Sequence, residues 1–151
     1  MQHKARVLAL AAALAIPAEG LRQVAYRDPV GILTICWGST SNVKPGQTAT
    51  LAECKARLDK DMINAIDQVD RCVPHLPENV LAAFADAAYN VGPKIACDST
   101  ASRYLRAGDI AAACRQLPRW DKVCTGGACV RLPGLTKRRN AEMDLCLRGL
   151  T

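Results

Sequence analysis

Residues 19–38, EGLRQVAYRDPVGILTICWG, decide how this chain is read. They follow an alanine-rich apolar run, residues 7–18 (VLALAAALAIPA), and hold one Glu, one Asp and one Thr: Glu19, Asp28 and Thr34. Asp28-Pro29-Val30-Gly31 is a turn signal and ILTICW after it is β-branched and apolar, so residues 26–43 are predicted to form a short β-hairpin. Upstream, residues 4–18 are predicted to be a helix whose last turn is disturbed by Pro17. A helix end facing a hairpin makes a cleft, and this arrangement can set both carboxyls on its walls. Two carboxyls across a cleft, one protonated and one ionised, are what glycosidic hydrolysis requires. A carboxyl ending an apolar helix is disposed to keep its proton and serve as acid, while an Asp in a solvated turn stays charged. A Thr hydroxyl beside that Asp can orient a water. Each residue also has a plain structural reading. Asp before Pro is an ordinary turn residue and Glu at a helix end is common, so the spacing alone is a weak signal that the helix–hairpin context strengthens.

Downstream the pattern turns helical. Thr50-Leu51-Ala52-Glu53 is a capping box, and Leu51, Cys54, Leu58, Met62, Ile66 and Val69 recur at three or four residues up to a stop at Pro74. A second helix is predicted from Pro77 through Ala88, ended by Asn90-Val91-Gly92. A third is capped by Asp98 or Ser99, and a fourth runs from Asp109 to Leu117. Residues 118–134, rich in Gly and Pro, are predicted to be a disulfide-pinned loop. Thr136 is predicted to cap a last helix ending at Arg148, with Gly149 terminating it. The expectation is one α+β domain over residues 1–151, with an apolar first helix (1–18), a small N-terminal β-hairpin lobe (26–45) and a larger helical lobe (50–151).

Composition narrows the function classes. Only 4% of residues are aromatic against 50% hydrophobic, so the core must be built from Ala, Leu, Val and Ile. The net charge of +6 favours a polyanionic partner such as nucleic acid, an anionic membrane or a cell-wall polymer. No RNP pattern, finger spacing or aromatic-interleaved basic stripe is present, so no nucleic acid is expected. The 8 cysteines show no C-x-x-C spacing and only His3 and His75 accompany them, so neither a metal nor a cofactor is expected. Structural disulfides in an oxidising compartment are the simpler reading. Of the many possible pairings the expected set is Cys36–Cys54, Cys72–Cys97, Cys114–Cys146 and Cys124–Cys129. Only the last has a local reason, the tight turn offered by Thr125-Gly126-Gly127-Ala128.

His3, Lys4 and Arg6 before the apolar run resemble the basic start of a secretory signal. Twelve residues are too few to cross a bilayer as a simple helix. Cleavage after Ala18 would leave Glu19 on a frayed terminus with nothing to hold its carboxylate. Residues 1–18 are therefore read either as the first core helix or as a segment derived from a membrane anchor.

The pattern E-x8-D-x5-T, Glu19, Asp28 and Thr34, resembles the catalytic segment of the phage-type lysozymes, the endolysins of glycoside hydrolase family 24. The likeness continues in AECKARLDKDM, AAYNVG, GDIAAACRQLPRW and GLTKRRNAEMDLCLRG, in order along essentially the whole chain. It implies a disulfide-bonded, lysozyme-like fold and a muramidase that cuts the β-1,4 bond between N-acetylmuramic acid and N-acetylglucosamine in peptidoglycan, for host-cell lysis. Glu19 would protonate the leaving oxygen, Asp28 would activate or electrostatically assist, and Thr34 would help place the water. If the enzyme inverts, the two carboxyls stand about 6.5–9.5 Å apart.

The alanine-rich start resembles the signal-anchor-release subgroup, which implies transient inner-membrane association, release to the host periplasm and refolding of the segment into the enzyme body, where it positions Glu19. Some relatives activate by thiol exchange from a cysteine in the anchor. This chain has none before Cys36, which leaves refolding as the implied switch.

Two departures stand out. Ser39 follows Gly38 where the resemblance would lead one to expect His, a change that bears on how the small lobe is tied down. Pro93 and Cys97 enter the usually glycine-rich run after NVG. Tyr89 and Asn90 are candidates for the cleft floor, with helix termination the plain reading of Asn90. Trp37 and Trp120 are expected to pack rather than stack on sugar. Lys137-Arg138-Arg139 is read either as a wall-binding patch or as a solvated helix face with one arginine paired. A monomer is expected. The alternatives are a catalytically silent peptidoglycan-binding or scaffold module with a lysozyme fold, which has no need of an acid–base pair, and a basic membrane-disrupting protein.

Overall fold

The computed structural model describes residues 2–148 and 150. The order is α1 (Gln2–Glu19), β1 (Arg22–Arg27), β2 (Leu33–Cys36), α2 (Leu51–Cys72), α3 (Glu78–Val91), α4 (Lys94–Cys97), α5 (Thr100–Arg106), α6 (Ile110–Cys114), a 3-10 turn (Leu117–Arg119), β3 (Lys122–Thr125), β4 (Ala128–Arg131) and α7 (Pro133–Arg148). The expected end of α7 at Gly149 lies outside the described residues.

α3 is the centre. Nine consecutive residues, Val80 through Ala88, are buried, as befits a helix that is apolar all round, and α1, α2 and α7 pack against it. α1 lies on it through a narrow stripe, Val7, Ala11 and Ala15, at i, i+4, i+8. Pro17 sits inside its last turn, and the helix ends at Glu19 before Gly20. The amphipathic α2 opens with the predicted capping box: Glu53 N–H donates to Thr50 Oγ1 and Thr50 N–H to Glu53 Oε1. Ser99 and Asp109 cap α5 and α6.

The β1–β2 hairpin is antiparallel, with an irregularity between Arg22 and Tyr26, and β1 also bonds to residues 47–49. The strand begins at Arg22, four residues before the predicted start. The hairpin is held to α2 by Cys36–Cys54 and by Arg57, which donates to Ser39 Oγ and to the carbonyls of Ser41 and Asn42. Ser39 is thus a buried acceptor for an α2 arginine, one of the ties that hold this lobe to the body.

The other disulfides are Cys72–Cys97, Cys114–Cys146 and Cys124–Cys129, so all four expected pairs are present. Pro93 and Cys97 bracket the short α4, which Cys72 staples to the end of α2.

Four readings need correction. Residues 118–134 are not a loop: they contain the β3–β4 hairpin, whose turn is Gly126-Gly127 with both φ positive, the geometry a two-residue hairpin turn demands. α3 runs to Val91, so Asn90 lies within its last turn and Gly92, at φ +94°, is the cap. α6 stops at Cys114, short of the predicted Leu117. Thr136 does not cap α7, which starts at Pro133; its hydroxyl donates to Asp121 Oδ2 at 2.7 Å.

Among the described residues no helix is long and apolar enough to cross a membrane.

Candidate active site

Glu19 projects from the last residue of α1, and its environment is ionic rather than apolar. Nη1 of Arg138, from α7, donates to Glu19 Oε1, and the Glu19 side chain retains 21% exposure. Arg138 is itself buried and fixed by Asp86 of α3: Nε donates to Oδ2 at 3.0 Å and Nη2 to Oδ1 at 2.7 Å. Burial works against the guanidinium charge, but Asp86 and Glu19 outweigh it and hold the group above its usual range. The hairpin closes on the same carboxylate. A Cβ at Gly38 would lie 2.8 Å from Glu19 Oε2, so only the missing side chain at this φ +80° position lets β2's exit pass.

Asp28 and Thr34 form a separate hydrogen-bonded group around Ile32. Asp28 Oδ1 accepts from the N–H of Val30 at 3.0 Å and of Ile32 at 2.8 Å. The Ile32 carbonyl accepts from Asp28 N–H and from Thr34 Oγ1, both at 2.9 Å. Among the described hydrogen bonds none uses Asp28 Oδ2 and none links this pair to Glu19. Thr34 is 4% exposed with its proton engaged, so its hydroxyl can offer a water only a lone pair.

Tyr89 donates its hydroxyl proton to the Trp37 carbonyl, and Arg138 lies over its ring at 6.0 Å. Burial first, then the charge of Glu19, push this phenol well above its usual range. Asn90 Oδ1 accepts from Arg139 Nη2 at 2.9 Å. Trp37 is buried and Trp120 partly so, as packing requires. Neither reading of Lys137-Arg138-Arg139 describes the arginines, which are both buried and paired; only Lys137 is exposed.

The region of residues 17–142 matches the phage lysozyme family model, a span that contains every side chain of this site. The chain belongs to the phage lysozyme family. It is 42% identical over 133 residues to the SAR-endolysin of bacteriophage PS119, covering 87% of this chain and 77% of that one. To the SAR-endolysin of Pseudomonas phage phiKMV it is 38% identical over 151 residues, covering 97% and 93%. Among solved structures, the active form of P1 phage endolysin Lyz superposes with a TM-score of 0.82 at 27% identity, covering 94% of this chain and 85% of that one. The lysozyme is a glycoside hydrolase, a muramidase endolysin of host lysis, and its substrate is peptidoglycan.

What the sequence reading of this lysozyme missed is the support behind Glu19: Arg138 as its partner, Asp86, Glu142 and the close approach of Gly38. The signal was present. Asp86 is a lone carboxylate in the apolar run VLAAFADAAYNV, and Arg138 and Glu142 stand at i, i+4.

Proposed function

We propose that Glu19 is the acid that protonates the leaving glycosidic oxygen of the muramic acid–glucosamine bond, that Asp28 assists attack at the anomeric carbon, and that Thr34 helps hold the attacking water. The single observation behind this reading is the placement of the Glu19 carboxylate where α1, the Gly38 corner and the Arg138 guanidinium meet. Two hydrogen-bonding requirements support the remainder. Asp28 has one oxygen committed to its turn and the other outside the described bonds, so a charge can be presented without loosening the hairpin. The Thr34 hydroxyl is oriented by Ile32, so its lone pairs point in a fixed direction. The water's oxygen bonds to carbon, its proton passes to a carboxylate, and the Glu19 proton leaves with the departing sugar.

Tyr89 and Asn90 border this cluster. With Tyr89 Oη engaged by Trp37, the amide Nδ2 of Asn90 is the group of that pair suited to a sugar acetamide or hydroxyl. We also propose that residues 1–151 act as one monomeric domain in the host periplasm, and that residues 1–18 associate transiently with the inner membrane before packing as α1.

Purified protein acting on permeabilised Gram-negative cells should clear turbidity and release reducing ends, and Glu19→Gln should lose nearly all of both while keeping its melting temperature. Anhydro-sugars in the muropeptide mass spectrum would mean transglycosylation instead of hydrolysis. A fully lytic Glu19→Gln would refute the assignment and favour membrane disruption, and an intact wild type without activity would favour a silent wall-binding module.

A further inference from the structure

Behind Glu19 lies a cluster of four charged side chains, all of them nearly dry. Arg138 and Arg139 are 5% and 0% exposed, and Asp86 and Glu142 are both 0% exposed. Asp86 uses both oxygens on Arg138, which leaves Nη1 of the planar guanidinium aimed at Glu19. Glu142 Oε1 accepts from Arg139 Nη2 at 2.7 Å and stands 3.9 Å from Arg138 Nε. Its other oxygen, Oε2, is buried with no N–H or O–H partner among the described residues. The Asp86 carboxylate shares a neighbour with Glu142: its Oδ2 accepts from the same Arg138 Nε at 3.0 Å, so the two carboxylates converge on one atom.

Two buried carboxylates side by side are unfavourable when both are ionised, and an orphaned buried oxygen is costly in itself. A proton on Glu142 removes both difficulties, since it takes one charge off the carboxylate pair and turns the orphaned oxygen into a donor. Burial, then the contact with Asp86, push the Glu142 carboxyl well above the usual carboxylate range, against the opposing charge of Arg139. At longer range Asp61 of α2 acts on Tyr89 of α3, whose ring faces Arg138.

We infer that Glu142 is a buried neutral acid whose O–H donates to Asp86, and that it is a positioning residue: it keeps the Asp86–Arg138 pair in the arrangement that aims Arg138 at Glu19. The kinetic part of this inference rests on Glu19 as the catalytic acid; the protonation of Glu142 does not.

Infrared spectroscopy tests the proton directly. In a Glu19→Gln background, which removes the proposed acid's own carboxyl, the enzyme at neutral pH should show a protonated-carboxyl C=O band that shifts in D2O and disappears when Glu142→Gln is added. A background without the band, or a band that survives the added Glu142→Gln, overturns the inference. Kinetics test the coupling. Glu142→Leu can neither donate to Asp86 nor accept from Arg139, and should lower kcat by about tenfold or more with little change in KM. Glu142→Gln, which can do both, should restore kcat and keep the alkaline limb of the pH profile where the wild type has it. If Glu142 were ionised, the same Gln would strip a negative charge from beside Arg138 and move that limb toward acid by about one unit or more, which would overturn the inference. Asp86→Asn does remove a charge and should produce that acid-ward shift; an unmoved limb would refute the link to Glu19. Were Glu19 not the acid, Glu19→Gln would remain active while the carboxyl band persisted, so the two failures are told apart.

Discussion

Gly38→Ala separates the backbone cost of a residue from its effect on the proposed acid, Glu19. Two terms follow from the structure. An alanine at φ +80° costs about 1–2 kcal/mol, which for a chain of this size lowers Tm by about 2–8 °C. The new methyl would also lie 2.8 Å from Glu19 Oε2 and 3.1 Å from Cδ, where ordinary contact begins near 3.4 Å. The carboxylate must therefore retreat by about 0.6 Å, and Arg138 opposes any such movement. With Glu19 as the proposed proton donor, a displacement of that order is worth about 10- to 100-fold in kcat. Gly46 provides the control: its φ is +77° and nothing lies within 4 Å of its Cβ position. Gly46→Ala should thus show the same loss of Tm with undiminished release of reducing ends from purified peptidoglycan. Calorimetry and the reducing-end assay on both variants decide the matter. Equal activity in the two alanine variants at equal Tm loss would refute the reasoning.

Thr50→Ala removes half of the α2 capping box and should cost about 1 kcal/mol, a fall in Tm of about 2–4 °C, with kcat unaltered. Of the disulfides, Cys114–Cys146 joins two fully buried positions on α6 and α7, whereas Cys124–Cys129 crosses an exposed hairpin. Double Ser variants should lower global Tm strongly for the first pair and little for the second, whose loss should appear as faster amide exchange confined to β3–β4. Glu78 is held at about 2, chiefly by its hydrogen bond from Arg6 and, against some burial, by His3. Its folded-state affinity for protons is depressed, so its stabilisation is present above the ordinary glutamate range near 4.5 and is lost as pH falls through about 2. Urea melts should show wild type more stable than Glu78→Gln at pH 6, with the gap closing toward pH 2.

The legible parts of this protein were those written in local chemistry. The Thr50–Glu53 box, the Ser99 and Asp109 caps and the helical periodicity of α2 need only neighbours in sequence. β3–β4 was not read as a hairpin because its strands are four residues each, exposed throughout, and flanked by Pro118 and Pro133, so no alternation marks them. The Gly126-Gly127 turn was visible but was credited to the disulfide alone. Spacing and resemblance single out residues 19–38 as the candidate segment, yet they carry no trace of the support behind Glu19. Asp86, Arg138 and Glu142 come from helices separated by some fifty residues, and only the docking of α7 on α3 brings them together. Arg138 and Arg139 looked like solvent-facing charge because sequence carries no record of which face of α7 is inward.

The fully buried residues of α1 are one valine and two alanines, with Leu8, Leu10, Ala12 and Leu14 packed beside them, and Glu19 is its final residue. Val7 and Glu19 are twelve residues apart, about 18 Å along the axis. A slip by a single residue would carry the carboxyl about 1.5 Å lengthwise and swing it through about 100°, far beyond what proton delivery tolerates. The rod thus works as a gauge whose reading is taken at one end, and catalytic rate becomes a sensitive report of alignment all the way back to Val7.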